Sequence, residues 1–301
     1  MICSRWPLIA SIAVLVVGLS LAAVSCGGED GETGKLGVVV TILPQAQFVE
    51  RVGGDNVEIT VMVPEGSSPH IYEPTPGQMA KVSEAAMYAK VGSGVEFELV
   101  WMDKVIEQNE GMLVVDCSEG VHLIEMIGSH GQEGEVHHQG ATDPHIWMSP
   151  LNAKVMVDNI CEGLKQTDPE NGEYYETNRD AYLTELESLH SDIVAGLSGV
   201  QKRKFMVYHP SFGYFAEEYD LEMIPVEEEG KEPTAAGLAR LIAQAVESDI
   251  KVIFTSPQFN PQMAQVIADE IGGTVTSVDP LARDYVDGMR ALLSELVQAL
   301  E

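Results

Sequence analysis

Positive charge is scarce in this chain. It carries 17 Lys and Arg residues against 47 Asp and Glu, a formal net charge of -30 over 301 residues. So few basic groups exclude a nucleic-acid partner, which needs basic patches to neutralise phosphate. The surface should repel anions and gather cations, an effect that salt screens. Acidity of this kind also keeps a protein soluble. Short catalytic motifs are absent too: there is no Gly-x4-Gly-Lys-Ser/Thr phosphate loop, no His-Glu-x-x-His helix and no Gly-x-Ser-x-Gly elbow. Cysteine is rare, at four residues, and aromatics make up 6%. With 45% apolar residues, the composition is that of a globular protein with enough chain for two cores.

One long apolar run exists, from Leu8 to Val24, broken by Ser11, Gly18 and Ser20 and preceded by Arg5. A positive start, an apolar middle and the small residues up to Ser25 read as a secretory signal over 1–25. Cys26 directly after them resembles a bacterial-type lipobox, in which the thiol is acylated, although Ala23 stands where leucine is commoner. The run is also about long enough to span a bilayer, so an uncleaved anchor stays open. Both readings export the protein and tether it to a lipid bilayer. Residues 26–36, rich in Gly, Glu and Asp, read as a flexible tether. Cys3 leaves with the signal and Cys26 takes the lipid, so Cys117 and Cys161 remain. A bridge between them and two buried thiols are both open.

From Gly37 onward β-rich apolar runs alternate with helical patterns. The runs at 38–43, 57–63, 87–91 and 112–115 are followed by helices at 45–52, 76–85, 98–109 and 151–166. The second half repeats the plan, with runs at 205–208, 223–226, 252–255 and 274–278 and helices from about 211, 233, 261 and 284. This alternation predicts an α/β fold of two βα lobes, at 37–166 and 201–301, each with a four-stranded parallel sheet. The segment 167–200 joins them. Tyr182, Leu186, Leu189, Ile193 and Leu197 recur at spacings of three and four along it, one apolar stripe on a long helix. Asp168 is its candidate N-cap, with Pro169 at the first helical position. A rigid helix of about 30 residues, roughly 45 Å long, predicts modest lobe motion.

Four donor residues each stand beside a proline: Pro69-His70, Pro144-His145, His209-Pro210 and Asp279-Pro280. Proline cannot donate to a sheet ladder, so each should lie where a strand gives way to a loop. In open parallel sheets, ligands bind beyond those strand ends. Three imidazoles and a carboxylate, two donors from each half, suit a tetrahedral metal site closing between the lobes. The prolines limit the entropy lost in ordering such a site.

The segments Pro69-His70-Ile71-Tyr72-Glu73-Pro74, Asp143-Pro144-His145-Ile146-Trp147 and Tyr208-His209-Pro210-Ser211, with Glu229-Gly230-Lys231-Glu232-Pro233-Thr234 and Val278-Asp279-Pro280-Leu281, resemble the solute-binding lipoproteins of zinc and manganese ABC importers. The resemblance spans essentially the whole mature chain. It implies a monomer with no catalytic residues, holding one metal ion in the cleft between its lobes and serving a membrane permease outside the cytoplasm. Relatives that look like manganese binders carry glutamate at the third position. His209 stands there in this chain, which favours Zn2+ over Mn2+ or iron. The fourth ligand is Asp279, Glu65 or water. Residues 130–143 resemble the His- and acid-rich loop of zinc-type members. There His130, Glu133, Glu135, His137 and His138 form either an auxiliary metal-collecting loop or a solvated insertion. His122 and His190 are read as structural or exposed. Two other classes compete with the carrier. An exported zinc hydrolase would need an open coordination position and a general base. A surface adhesin would need no metal.

Overall fold

Valine-rich runs and proline-punctuated helices build the same unit twice. The computed structural model describes residues 34–127, 142–227 and 230–301. The first half contains β1 (Leu36–Val40), α1 (Leu43–Gly53), β2 (Val57–Val61), α2 (Pro76–Glu84), β3 (Met87–Lys90), α3 (Glu96–Gln108), β4 (Leu113–Asp116) and α4 (Pro150–Thr167). The second contains β5 (Lys204–Val207), α6 (Gly213–Glu218), β6 (Glu222–Pro225), α7 (Ala235–Glu247), β7 (Val252–Thr255), α8 (Gln262–Ile271), β8 (Thr274–Ser277) and α9 (Tyr285–Leu300). Each half forms a four-stranded sheet, ordered β2-β1-β3-β4 and β6-β5-β7-β8, with every pairing parallel. The expected pair of βα lobes is what forms.

Prolines and caps set the boundaries. Thr75 accepts a hydrogen bond from the Gln78 amide N–H, and Pro76 begins α2. Ser149 does the same for Asn152 ahead of Pro150 in α4. Proline at a first helical position loses no hydrogen bond, so Thr-Pro and Ser-Pro are efficient starts.

The linking helix α5 runs Gly172–Leu197, 26 residues and about 39 Å, shorter than expected. Asp168 does not cap it. Its carboxylate accepts from the Tyr175 hydroxyl at 2.6 Å and the Asn171 side-chain amide at 2.7 Å, and Pro169–Asn171 form a 3-10 turn instead. The apolar stripe is as expected: Tyr182, Leu186, Leu189, Ile193 and Leu197 are all buried. It packs on α1 and α4 of the first lobe and on α9 of the second.

One apolar cluster runs through both lobes. Phe48 of α1 meets Tyr182 of α5 at 6.1 Å and Tyr285 of α9 edge-on at 5.0 Å. Spreading the lobes would expose these rings, at about 25 cal/mol per Å² of apolar surface. A smaller cluster, including Ile224, Ile253 and Ile267, packs elsewhere in the second lobe. Cys117 and Cys161 are both buried free thiols. Burial pushes the Cys161 thiol up to about 11 and Cys117 further still, so neither is a reactive thiolate. Among the described residues, no helix is long and apolar enough to cross a membrane.

Candidate metal centre

Three histidines from three different loops meet between the lobes. His70 follows β2, His145 lies between β4 and α4, and His209 follows β5 by two residues. Their candidate ligand atoms all lie within 4.8 Å of one another. The ring centroids stand 5.7 Å apart for His70 and His145, 4.8 Å for His70 and His209, and 5.3 Å for His145 and His209. Residues 75 and 64 apart along the chain have thus closed to within 4.8 Å of one another.

Each ring is held from behind by a carboxylate. His70 Nδ1 lies 2.6 Å from Glu96 Oε2, His145 Nδ1 2.7 Å from Asp143 Oδ1, and His209 Nδ1 2.8 Å from Glu227 Oε2. An ionised carboxylate only accepts, so the proton sits on Nδ1 and the lone pair on Nε2. His209 Nε2 is buried without a hydrogen-bond partner. Carboxylates behind imidazoles fix the tautomer and raise the basicity of a metal ligand.

The electrostatics agree. Burial pulls the His209 imidazole down to about 4; the charges of His145 and His70 add to this, outweighing the upward pull of Glu227. The ring is therefore neutral at pH 7. For Glu96, burial pushes the carboxyl up, but the hydrogen bond and charge of His70 prevail and hold it below the usual range.

Local sequence explains the presentation of His145. Asp143 Oδ1 accepts both the backbone N–H of His145, at 2.9 Å, and its ring Nδ1–H, so one oxygen shapes the turn and sets the tautomer. Asp143 is anchored in turn. Its N–H donates to the Ile124 carbonyl at 2.9 Å, and its carbonyl accepts from the Tyr214 hydroxyl at 3.1 Å. The backbone at Gly213 passes so close that a Cβ there would lie 2.2 Å from Asp143 Oδ2. Trp147 stands edge-on to His145 at 5.3 Å and donates its indole N–H to the Pro280 carbonyl at 2.8 Å, tying the two lobes together beside the site. Phe259 stacks on the His209 ring at 4.6 Å. In the first lobe, buried Glu98 accepts from Val91 N, Gly92 N and the Thr41 hydroxyl, which pins the loop leading to Glu96; burial raises its pKa.

The remaining candidates fall elsewhere. Asp279 is outside the three-histidine set and lines a neighbouring cavity. Its Oδ1 accepts from Gln258 Nε2 and Leu281 N, both at 2.9 Å. Glu65 is exposed and also outside the set. His130, His137, His138 and Cys26 lie outside the described residues. His190 bonds to Glu218 at 2.9 Å and Tyr219 at 3.1 Å, a structural role, and His122 is exposed. Glu96, Glu227, Gln258 and Phe259 were not singled out from sequence. The two glutamates stand 26 and 18 residues from their histidines, with no local signal. Gln258 did carry one, since Ser256-Pro257 repeats the proline frame of the histidine loops.

The cavity lined by the three histidines, Trp147, Gln258 and Phe259 has a volume of about 10 Å³. That is about the room one water molecule needs, the scale of a single ion. The family model for the zinc-uptake complex component A, periplasmic (ZnuA), matches residues 38–299. The chain belongs to this family. ZnuA of the high-affinity zinc uptake system of Bacillus subtilis strain 168 is 30% identical, over 91% of this chain and 90% of that protein. The zinc-binding lipoprotein AdcA of Streptococcus pneumoniae R6 is 28% identical over 90% of this chain, which spans 55% of that longer protein. Crystal structures of ZnuA and of a ZnuA deletion mutant with zinc bound share the fold at TM-score 0.83 and 38% identity, covering 89% of this chain and 100% and 99% of theirs.

The carboxylate behind His145 is open to a direct test. Asp143→Asn should preserve the fold and lower zinc affinity by about 10–100-fold, the usual cost of losing an outer-sphere partner. Competition with a coloured chelator measures it. Unchanged affinity would mean that the charge behind the ring is not needed.

Proposed function

We propose that this ZnuA-family protein is an extracytoplasmic carrier that takes one zinc ion between His70, His145 and His209 and passes it to an ABC importer permease. A lipid on Cys26 holds it, as a monomer, at the outer face of the membrane. The observation that carries the reading is the convergence of three imidazoles, each with its Nδ1 on a carboxylate, around a cavity of one-ion size. Zinc accepts imidazole nitrogen readily, whereas manganese favours oxygen donors. Copper and nickel should compete in vitro, following the Irving–Williams order. Asp279 stands next to the cavity, one residue before Pro280 of its wall.

Titration of the metal-free protein should show one zinc per chain at sub-micromolar affinity, with weaker manganese binding. The pH dependence has a definite sign. Protons compete with zinc for the imidazole nitrogens, and an unperturbed histidine takes one up near pH 6.5. Affinity should therefore fall as pH drops through that value. The loss should continue towards pH 4, where His209 itself protonates. Equal affinity at pH 8 and pH 5, or a preference for manganese, would defeat the assignment.

A further inference from the structure

The histidine cavity has a fourth wall with its own polar group. Gln258 lies in the turn after β7, and its side chain lines the cavity together with His70, His145 and His209. Its Nε2 donates to Asp279 Oδ1 at 2.9 Å, while its Oε1 is buried with no hydrogen-bond partner. The orientation of the amide follows from chemistry. A carboxylate cannot donate, so Asp279 takes the NH2 end and the oxygen is left unpaired. A buried, unpaired amide oxygen costs about 1–3 kcal/mol unless something meets it.

The turn repeats a local design. Ser68-Pro69-His70, Asp143-Pro144-His145, Ser256-Pro257-Gln258 and Asp279-Pro280-Leu281 share the form Ser/Asp-Pro-X, and all four X residues line the cavity. In three of them the first residue's side-chain oxygen accepts from the backbone N–H of X: Ser68 from His70 at 3.3 Å, Asp143 from His145 at 2.9 Å and Asp279 from Leu281 at 2.9 Å. Other such pairs, Ser149-Pro150 and Asp168-Pro169, open helical turns instead. Asp143 and Asp279 also play matching parts. Each forms its turn with Oδ1 and uses that same atom to hold a cavity-lining side chain, the His145 ring in one case and the Gln258 amide in the other.

The geometry points to Gln258 as a further metal-binding residue that offers its amide oxygen to the ion, with Asp279 as the positioning residue that holds the amide in that orientation. This rests on the zinc-carrier reading of the same site. A neutral oxygen completes a three-nitrogen, one-oxygen donor set, which zinc accepts. Asp279 then acts on affinity through Gln258, as Asp143 acts through His145.

The test compares Gln258→Met, Gln258→Ala, Asp279→Asn and the Gln258→Met/Asp279→Asn double variant. Zinc affinity is read by chelator competition, and the visible absorption of the cobalt(II)-loaded protein reports the donor set. Each single substitution should weaken zinc binding by at least about tenfold. Both Gln258 variants should alter the cobalt bands. The double variant should bind no more weakly than Gln258→Met alone, because the two residues act as one unit. Parental affinity and an unchanged cobalt spectrum in Gln258→Met or Gln258→Ala would overturn the assignment. So would full additivity in the double variant, which would make Asp279 a ligand in its own right. Failure of the parent chain to bind zinc would instead strike the carrier reading. Gln258→Ala, which introduces no new bulk, decides the matter if Gln258→Met does not fold.

Discussion

Replacing His145 by alanine is expected to lower zinc affinity by more than about 100-fold, beyond the range seen when only an outer-sphere partner is lost. His145 is 2% exposed, and its ring lies within 6 Å of both other histidine rings. Its loss removes one of the three candidate nitrogen donors and leaves Asp143 buried, with its ring partner gone and Oδ2 already unpaired. A buried carboxylate without a partner is costly, so the metal-free protein should also be destabilised. Deleting residues 130–138, by contrast, is expected to shift affinity only slightly, because the three-histidine set is complete without them. Paired zinc titrations of the two variants measure the contrast. A larger loss from the deletion than from His145→Ala would relocate the principal site.

The second large effect is on stability. Trp147→Ala should cost about 3–5 kcal/mol, the range for truncating a fully buried aromatic. Trp147 is 1% exposed, packs on His145 and makes the indole bond to Pro280 across the lobes. Truncation leaves a void and an unpaired carbonyl at once. At roughly 2–4 °C per kcal/mol, the melting temperature should fall by about 10 °C. Zinc binding should weaken as well, since the Asp143–Met148 and Asp279–Leu281 segments lose their shared anchor. Thermal unfolding of the metal-free protein measures the first effect. A melting temperature within 2 °C of the parent would mean that Trp147 does not tie the lobes.

Periodicity and proline placement made much of the architecture legible. Apolar β-rich runs followed by helical patterns marked all eight strands among the described residues, and the Tyr182–Leu197 stripe marked the linking helix, because burial on one face leaves a repeat of two or of three to four. The start of α5 was misplaced because Asp168 has two uses. A carboxylate before proline suits an N-cap, yet here the Tyr175 hydroxyl and the Asn171 amide compete for it successfully. His70, His145 and His209 were legible because proline confines each to a strand exit, the end of the sheet where ligands collect. Glu96 and Glu227 were not. Their link to the histidines is made by tertiary approach alone, and one acidic residue among 47 carries no mark of its role.

The amino-acid order by itself determined that two βα lobes form, where their strands end, and that three imidazoles emerge there. Folding alone decided that Glu96 and Glu227 stand behind the His70 and His209 rings, that Asp279 holds the Gln258 amide, and that Cys117 and Cys161 stay unbridged. The first set depends on local backbone preference and the burial period, both written within a few residues. The second depends on side chains that folding brings together from 18 to 26 residues apart, where packing rather than sequence proximity chooses the partner.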